Sequence, residues 1–255
     1  LTSIEFDHAD IYRDLAHLVE SFRKLIRLIP GDGLLVACAD YPEVIAVAAE
    51  AACPVVYFSL DSAALPDSGV DSWMVRGIAE NGGLTSFRIE GRHSAHPFAL
   101  RLPGRHNAAN GAAAAIVLMH IGYGPERAAE ALAGFTGVRR RQEELGESGG
   151  VLVVDDFAHH PTAVKGTIQA VRARYPGRRI TAVFEPRSNT SRRRIFQREF
   201  AEALAGADNI IVAGVFGAEK IPAGERLEPE EVAIAVRAAG REAIYIQDVD
   251  RIVER

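Results

Sequence analysis

Only two cysteines, two methionines and one tryptophan occur in the 255 residues of this chain. Cys38 and Cys53 lie in apolar surroundings and form no CxxC pair, which excludes a disulfide framework and a cysteine-rich metal site and suits a reducing compartment. No apolar run approaches the roughly 18 residues of a membrane span. The opening Leu1-Thr2-Ser3-Ile4-Glu5 has neither the basic start nor the apolar block of a secretory leader. The cytoplasm is the compartment these absences leave. A basic excess is missing as well: 29 Lys and Arg against 34 Asp and Glu give a formal charge of -5, which argues against a nucleic-acid footprint. Two phosphate grips are also absent, since no GxxxxGK[ST] loop occurs and no GxGxxG follows a strand pattern. If the protein uses ATP, its main phosphate grip lies outside this chain.

What remains is the composition of a soluble globular protein, 48% hydrophobic and 25% charged, with one large or two ordinary domains. Apolar residues at Leu15, Leu18, Val19, Phe22, Leu25, Ile26 and Ile29 have helical spacing over 11–29, and Pro30-Gly31-Asp32-Gly33 stops that helix. Strand 34–38, helix 41–52 and strand 55–59 follow as parallel α/β alternation. Shorter alternating runs over 71–102, broken by Asn81-Gly82-Gly83 and Glu90-Gly91-Arg92, predict antiparallel hairpins. An Ala-rich helix through Met119 and another over 125–134 complete the first half. The second half restarts with strands at 151–154, 180–184, 210–212 and 243–246 and helices at 162–174, 193–205 and 229–239. The fold class is therefore α/β in two units, 1–134 and 135–255. The chain opens without Met on a dense polar motif and closes on 248–255, which reads as the start of a helix with no strand after it. Both ends read as cut, so a fragment is expected.

Polar clusters fall at element ends. Strand 151–154 looks buried and runs into Asp155-Asp156-Phe157-Ala158-His159-His160-Pro161, which packs four ionisable side chains into one strand-to-helix turn. The carboxyl end of a strand in an open α/β sheet is where ligands sit. The plainer alternative is that Asp155 or Asp156 caps the next helix and the histidines are solvated. In Asp7-His8-Ala9-Asp10, His8 between acids suits a helix cap or a ligand to a divalent cation. His106-Asn107-Ala108-Ala109-Asn110 opens the Ala-rich helix, and its amides serve either to read a base or ribose or as ordinary caps. Arg139-Arg140-Arg141 suits a phosphate or a surface ion pair. Glu185-Pro186-Arg187-Ser188-Asn189-Thr190 follows the strand at 180–184 and sits beside the 155–160 turn if those two strands are neighbours. The run Arg192-Arg193-Arg194 reads as a solvated helix face.

Taken in order, Leu102-Pro103-Gly104-Arg105-His106-Asn107-Ala108-Ala109-Asn110, Arg140-Arg141, the motif 155–162 and Glu185-Pro186-Arg187-Ser188-Asn189-Thr190 resemble the Mur ligases of bacterial cell-wall synthesis, across nearly the whole chain. The opening Ile4-Glu5-Phe6-Asp7-His8-Ala9-Asp10-Ile11-Tyr12 resembles the Asp-His segment of the family branch that acts on UDP-N-acetylmuramate. Within that branch, 185–190 resembles the ligase that recycles a murein tripeptide, and the Gln-Pro-His-Arg-Tyr pattern of the L-alanine ligase is absent. The loop Gly214-Val215-Phe216-Gly217-Ala218-Glu219-Lys220-Ile221-Pro222 is closer to the L-alanine ligase, which stays as the alternative.

The resemblance implies the remainder of a central ATPase α/β domain with a hairpin region, lacking its P-loop, followed by a Rossmann-like C-terminal domain truncated at its end. It implies ATP-dependent amide-bond formation through an acyl phosphate, with ATP and Mg²⁺ as cofactors and UDP-N-acetylmuramate and the tripeptide L-alanyl-γ-D-glutamyl-meso-diaminopimelate as substrates. His8 would then bind magnesium. His106, Asn107 and Asn110 would lie on the adenosine side, with Arg140 and Arg141 on the phosphates. Asp155, Asp156, His159 and His160 would line the catalytic cleft, and Glu185, Arg187, Ser188 and Asn189 would form the peptide-reading turn. Because these grips fall on both halves, domain closure is expected to be required, and the isolated chain is expected to have little activity. A different class competes: Asp155, Asp156, His159 and His160 with His8 as the Mn²⁺ or Zn²⁺ ligands of a hydrolase. A nonenzymatic nucleotide-binding module is a third reading.

Overall fold

The computed structural model describes residues 1–61, 65, 71–81 and 83–255. The chain divides into two compact units, Leu1–Asp7 with Tyr12–Gly137, and His8–Ile11 with Val138–Arg255.

In the first unit, β1 (Leu35–Cys38) and β2 (Val55–Ser59) pair in parallel. They carry almost no polar side chain because both of their faces are covered. Val36, Cys38, Val56 and Phe58 point into one core, while Leu35, Ala37 and Tyr57 point into another. This is the period-two alternation of a strand read from both sides. The second core is filled by α1 (Leu15–Ile26) and α2 (Pro42–Ala48). β3 (Ser72–Asn81) joins β2 in parallel, then pairs antiparallel with β4 (Leu84–Glu90), which pairs with β5 (Ala95–Leu100). The sheet order is β1-β2-β3-β4-β5. β4 buries Thr85, Phe87 and Ile89 and leaves the intervening Leu84, Ser86 and Arg88 exposed, as one covered face requires. That face is covered by α3 (Arg105–His120) and by α4 (Pro125–Gly134). The alanines of α3 serve close packing: Ala108, Ala112 and Ala115 are fully buried. A Cβ at Gly111 would stand 3.0 Å from Leu100 Cδ2.

The second unit has a three-stranded parallel sheet, β10-β9-β8, made of β8 (Thr181–Phe184), β9 (Asn209–Ala213) and β10 (Glu242–Ile246). The core beside it comes from α5 (Pro161–Arg174), α6 (Gln197–Leu204) and α7 (Pro229–Ala238), with Phe200, Leu204, Ile210, Val212 and Val236 almost wholly buried. The short α8 (Val249–Val253) follows an Asp248 cap, so the helix expected after residue 248 is present. No helix among the described residues is long and apolar enough to cross a membrane.

One strand differs from its expected role. β7 (Val151–Asp155) is not a buried strand of the parallel sheet; it pairs antiparallel with β6 (Glu143–Ser148), an element the pattern did not reveal. Val151 and Val153 are 64% and 52% exposed. The two strands turn at Gly149 and Gly150, with φ of 57° and 79°, which suits a tight hairpin whose central residues need positive φ. Among the described residues β8 is paired only with β9, so β7 and β8 are not sheet neighbours. They flank a cavity of about 240 Å³ lined by Leu152, Val154 and Asp156 on one side and by residues 181–184 on the other.

Candidate functional site

Among the described residues three non-glycine positions have left-handed backbone: His8 (φ 53°), Arg140 (φ 58°) and Gln142 (φ 53°). Such conformations cost about 1–3 kcal/mol each and persist only where neighbours fix them. At 140–142 the neighbours are visible. Glu143 Oε2 accepts from the Arg140 N–H at 2.8 Å, and Asp156 Oδ2 accepts from the Gln142 N–H at 2.9 Å. The Arg140 carbonyl accepts from the Phe157 N–H at 2.7 Å, which ties the arginine turn to the end of β7. Phe157 then serves as a platform: the Arg140 and Arg141 guanidinium carbons lie 4.9 and 5.5 Å from its ring centre. Arg140 Nε also stands 3.4 Å from Asp155 Oδ2. The result is a pair of exposed guanidinium groups on a fixed aromatic surface beside one carboxylate, an arrangement suited to an anionic ligand.

The four ionisable residues of this turn do different things. Asp155 faces Arg140, whereas the Asp156 carboxylate is taken up by backbone, since its Oδ1 also accepts from the Ala158 N–H at 2.7 Å. Asp156 is therefore placed to position the turn. His159 Nδ1 lies 2.8 Å from the Phe157 carbonyl, and its ring meets the Phe157 ring edge-on at 4.9 Å. His160 caps α5, its Nδ1 accepting from the Thr162 N–H at 3.4 Å, and its ring stands edge-on to Phe196 at 5.0 Å. The helix cap that the sequence offered to either aspartate thus belongs to His160, because the chain enters α5 one residue before Pro161. Asp155, Asp156, His159 and His160 with His8 are not brought together as a metal-ligand set: among the described residues no three His, Cys, Asp or Glu side chains group to hold a metal ion.

The second polar turn, 185–190, follows β8. Glu185 Oε2 lies 3.4 Å from Arg187 Nη1, and the Arg187 guanidinium carbon lies over the Phe216 ring, 4.2 Å from its centre. Ser188 is turned inward, its hydroxyl 2.8 Å from that of Ser191 and accepting from the Ser191 N–H at 3.0 Å. Asn189 Nδ2 donates to Asp10 Oδ2 at 2.7 Å, and its Oδ1 accepts from Arg192 at 2.5 Å. The buried Thr190 Oγ1 accepts from the Ala9 N–H at 3.4 Å. Of the four residues expected to read the acceptor, Glu185 and Arg187 present a charged pair outward, whereas Ser188 and Asn189 are engaged in building the turn and in holding residues 9–10. His8, next to them, does not cap the first helix; Asp14 does, with Oδ1 accepting from the His17 N–H at 2.8 Å.

In the first unit, α3 begins at Gly104 with no side-chain cap. Asn107 is not a cap; its Nδ2 donates backward to the Pro103 carbonyl at 2.7 Å and fixes the loop into the helix. His106 and Asn110 are exposed on the opening turns of that helix. The run 192–194 precedes α6, with Arg192 on Asn189 and the Phe216 carbonyl, Arg193 on Glu225 and Arg194 on Glu228, so it is a set of ion pairs and turn contacts.

The profile described as the Mur ligase middle domain matches residues 1–118, and that of the Mur ligase glutamate ligase domain matches 140–255. The chain belongs to the Mur ligase family. Its second Mur ligase profile begins at Arg140, the first residue of the strained turn. Among curated Mur ligases, the UDP-N-acetylmuramate–L-alanine ligase of Acetivibrio thermocellus is 33% identical over 99% of this chain and 52% of its own length. That of Rubrobacter xylanophilus is 38% identical over 87% of this chain and 47% of its own. The chain thus spans about half the length of the curated relatives it matches. Two solved Mur ligases share the fold over about half of their own lengths. The UDP-N-acetylmuramate-alanine ligase of Thermotoga maritima has a TM-score of 0.76 at 20% identity, covering 99% of this chain and 51% of its own. The murein peptide ligase of Psychrobacter arcticus has a TM-score of 0.63 at 26% identity, covering 100% of this chain and 50% of its own.

Three contributors to these sites were not assigned from sequence. Phe157 was readable as an odd feature, an exposed aromatic inside a polar turn, but its role under two arginines needed coordinates. Phe216 and Asp10 are distant in sequence from the residues they hold, and no local pattern marks them.

Proposed function

We propose that the protein carrying this chain is an ATP-dependent ligase that joins the carboxylate of UDP-N-acetylmuramate to the amine of L-alanine. The observation that carries this reading is the match through 99% of the chain to a UDP-N-acetylmuramate–L-alanine ligase, with a second relative of the same name at 38% identity. The site geometry agrees with what the reaction needs. Amide formation from a carboxylate passes through negatively charged phosphorylated species, so fixed positive groups matter more than a protein nucleophile. Arg140 and Arg141, preoriented on Phe157, are the candidates for that work in the second unit. His106 and Asn110 at the start of α3 are the candidates for the nucleoside in the first.

ATP would supply the activating phosphoryl group, and Mg²⁺ would neutralise its charge. A magnesium ion keeps several waters and draws its other ligands from one or two side chains and from substrate phosphates. The lack, among the described residues, of a three-ligand group is consistent with such an ion and not with a caged zinc. His8 would be its ligand in this chain. Asp155 would orient Arg140, and Asp156, His159 and His160 would hold the turn that presents it.

A second acceptor is favoured by one specific observation. The segment Glu185-Pro186-Arg187-Ser188-Asn189-Thr190 lacks the Gln-Pro-His-Arg-Tyr pattern of the L-alanine ligases, and the murein peptide ligase of P. arcticus is 26% identical over the whole chain. The tripeptide L-alanyl-γ-D-glutamyl-meso-diaminopimelate is therefore the alternative acceptor. ADP release by the full-length protein with Mg²⁺, ATP and UDP-N-acetylmuramate separates the two. L-alanine as the preferred acceptor supports the first reading, tripeptide preference installs the second, and no release with either refutes both. Arg187→Ala is expected to raise the acceptor KM more than the ATP KM; equal changes would remove Arg187 from the acceptor site.

A further inference from the structure

The acceptor side of the candidate site contains a residue that the proposed function does not use. Phe216 lies on the loop after β9, 49% exposed, where an aromatic ring gains little from burial. Its position is nevertheless fixed from two sides. The Phe216 N–H donates to the Pro186 carbonyl at 3.0 Å, and the Phe216 carbonyl accepts from Arg192 Nη1 at 3.4 Å. The next residue, Gly217, takes φ 60°, a turn that favours glycine. These contacts bring the Phe216 ring under the Arg187 guanidinium, 4.2 Å from centroid to Cζ. Glu185 engages Nη1, and no protein acceptor bonds to Nε or Nη2 among the described residues. A long, 58% exposed arginine side chain is thereby ion-paired to Glu185 through Nη1 while its other guanidinium nitrogens stay available to a ligand.

We infer that Phe216 is the positioning residue for acceptor recognition: its ring holds the Arg187 guanidinium flat so that its open edge receives a carboxylate of the incoming amino acid or peptide. This inference rests on the proposed ligase reading for the identity of the ligand, although not for the geometry of the platform. A guanidinium stacked on a ring keeps its N–H groups in plane, directed outward, and loses little rotamer freedom when a carboxylate arrives. Arg187 without the ring would sample many rotamers, and each acceptor molecule would have to order it.

The test uses the full-length protein and two substitutions, Phe216→Tyr, which keeps the ring, and Phe216→Leu, which keeps apolar bulk without a π-face. Phe216→Leu is expected to raise the acceptor KM about fivefold, equivalent to about 1 kcal/mol at 1.4 kcal/mol per tenfold. The ATP KM and kcat should change by less than about twofold, the split expected when only ground-state positioning is lost. Phe216→Tyr should stay near wild type. A readout independent of turnover is the ¹⁵N–¹H resonance of Arg187 Nε, assigned by its loss in Arg187→Lys. It should be shifted by the ring current in wild type and Phe216→Tyr and should move towards the free-arginine position in Phe216→Leu. An unmoved resonance overturns the platform whatever the activity. A moved resonance with equal rises in acceptor and ATP KM overturns the acceptor role. If the wild-type protein releases no ADP with either acceptor, the ligase reading and the acceptor assignment fail together, while the resonance still decides the platform.

Discussion

Asp155 and Asp156 are adjacent, yet the structure assigns them different consequences, and substitution should separate them. Asp156 accepts from Gln142 N–H at 2.9 Å and from Ala158 N–H at 2.7 Å, and it is half-buried. Hydrogen bonds to a charged group contribute about 1.5–3 kcal/mol each, and water reaching a half-buried site pulls both towards the lower bound. Asp156→Ala should therefore cost about 2–3 kcal/mol, and Asp156→Asn, which keeps one acceptor oxygen, about half of that. Asp155 makes one ion pair at 3.4 Å with an exposed arginine, so Asp155→Asn should cost less than about 0.5 kcal/mol. Urea unfolding of the second unit gives these differences as shifts in midpoint at constant slope. In the full-length protein, Asp156→Ala should also raise the ATP KM, because Arg140 and Arg141 lose the turn that orients them. Equal stabilities for Asp156→Ala and Asp155→Asn would refute the division of labour. A stable Asp156→Ala protein that has lost kcat alone would move Asp156 into the chemistry.

Two further predictions concern the same unit. Asp208 Oδ2 accepts from the Ile180 N–H at 2.8 Å and from Arg172 at 3.0 Å, and the backbone bond first, then the arginine, hold its carboxyl below the ordinary carboxylate range. Its stabilisation is complete above the unfolded-state value of about 3.9 and is lost as pH falls through the lower folded-state value. The gap in Tm between wild type and Asp208→Asn should therefore be widest near neutrality and narrow as pH falls below the unfolded-state value; a constant gap would contradict the linkage. Gln142 sits at φ 53°, and relief of left-handed strain, about 1–2 kcal/mol, exceeds the cost of glycine's extra freedom, about 0.5–1 kcal/mol. Gln142→Gly should accordingly raise Tm slightly, and a fall would show that the Gln142 side chain contributes more than its backbone strain costs.

The parallel strands of the first unit were legible because burial on both faces leaves an uninterrupted apolar run, and β2 was predicted at Val55–Ser59, as observed. The hairpins at 72–100 were legible from alternation and from glycine pairs, and the Pro-initiated helix Pro125–Gly134 from its boundaries. β6 was not. Glu143, Glu144, Glu147 and Ser148 give it no apolar face, and its stability comes from pairing with β7 and from Arg174 and Arg178, which reach Glu144 at 2.5 Å and Glu147 at 3.0 Å. Those arginines lie in and just after α5, so no local window contains the reason for the strand.

The missed strand also explains the misreading of β7. Val151-Leu152-Val153-Val154 has the composition of a central parallel strand, and composition reports how apolar a segment is but not which edge pairs it. With β6 as its partner, β7 keeps Val151 and Val153 exposed, and its end becomes the hinge between a hairpin and α5. That placement limits what the polar turn can do. Two of its four ionisable groups, Asp156 and His160, are committed to backbone N–H groups, and His159 lies beside a carbonyl. Asp155, by contrast, pairs with a functional candidate, Arg140. A cluster of titratable residues in sequence thus becomes one charged contact and a set of backbone bonds, and the proposed anion site falls to the arginines beside them.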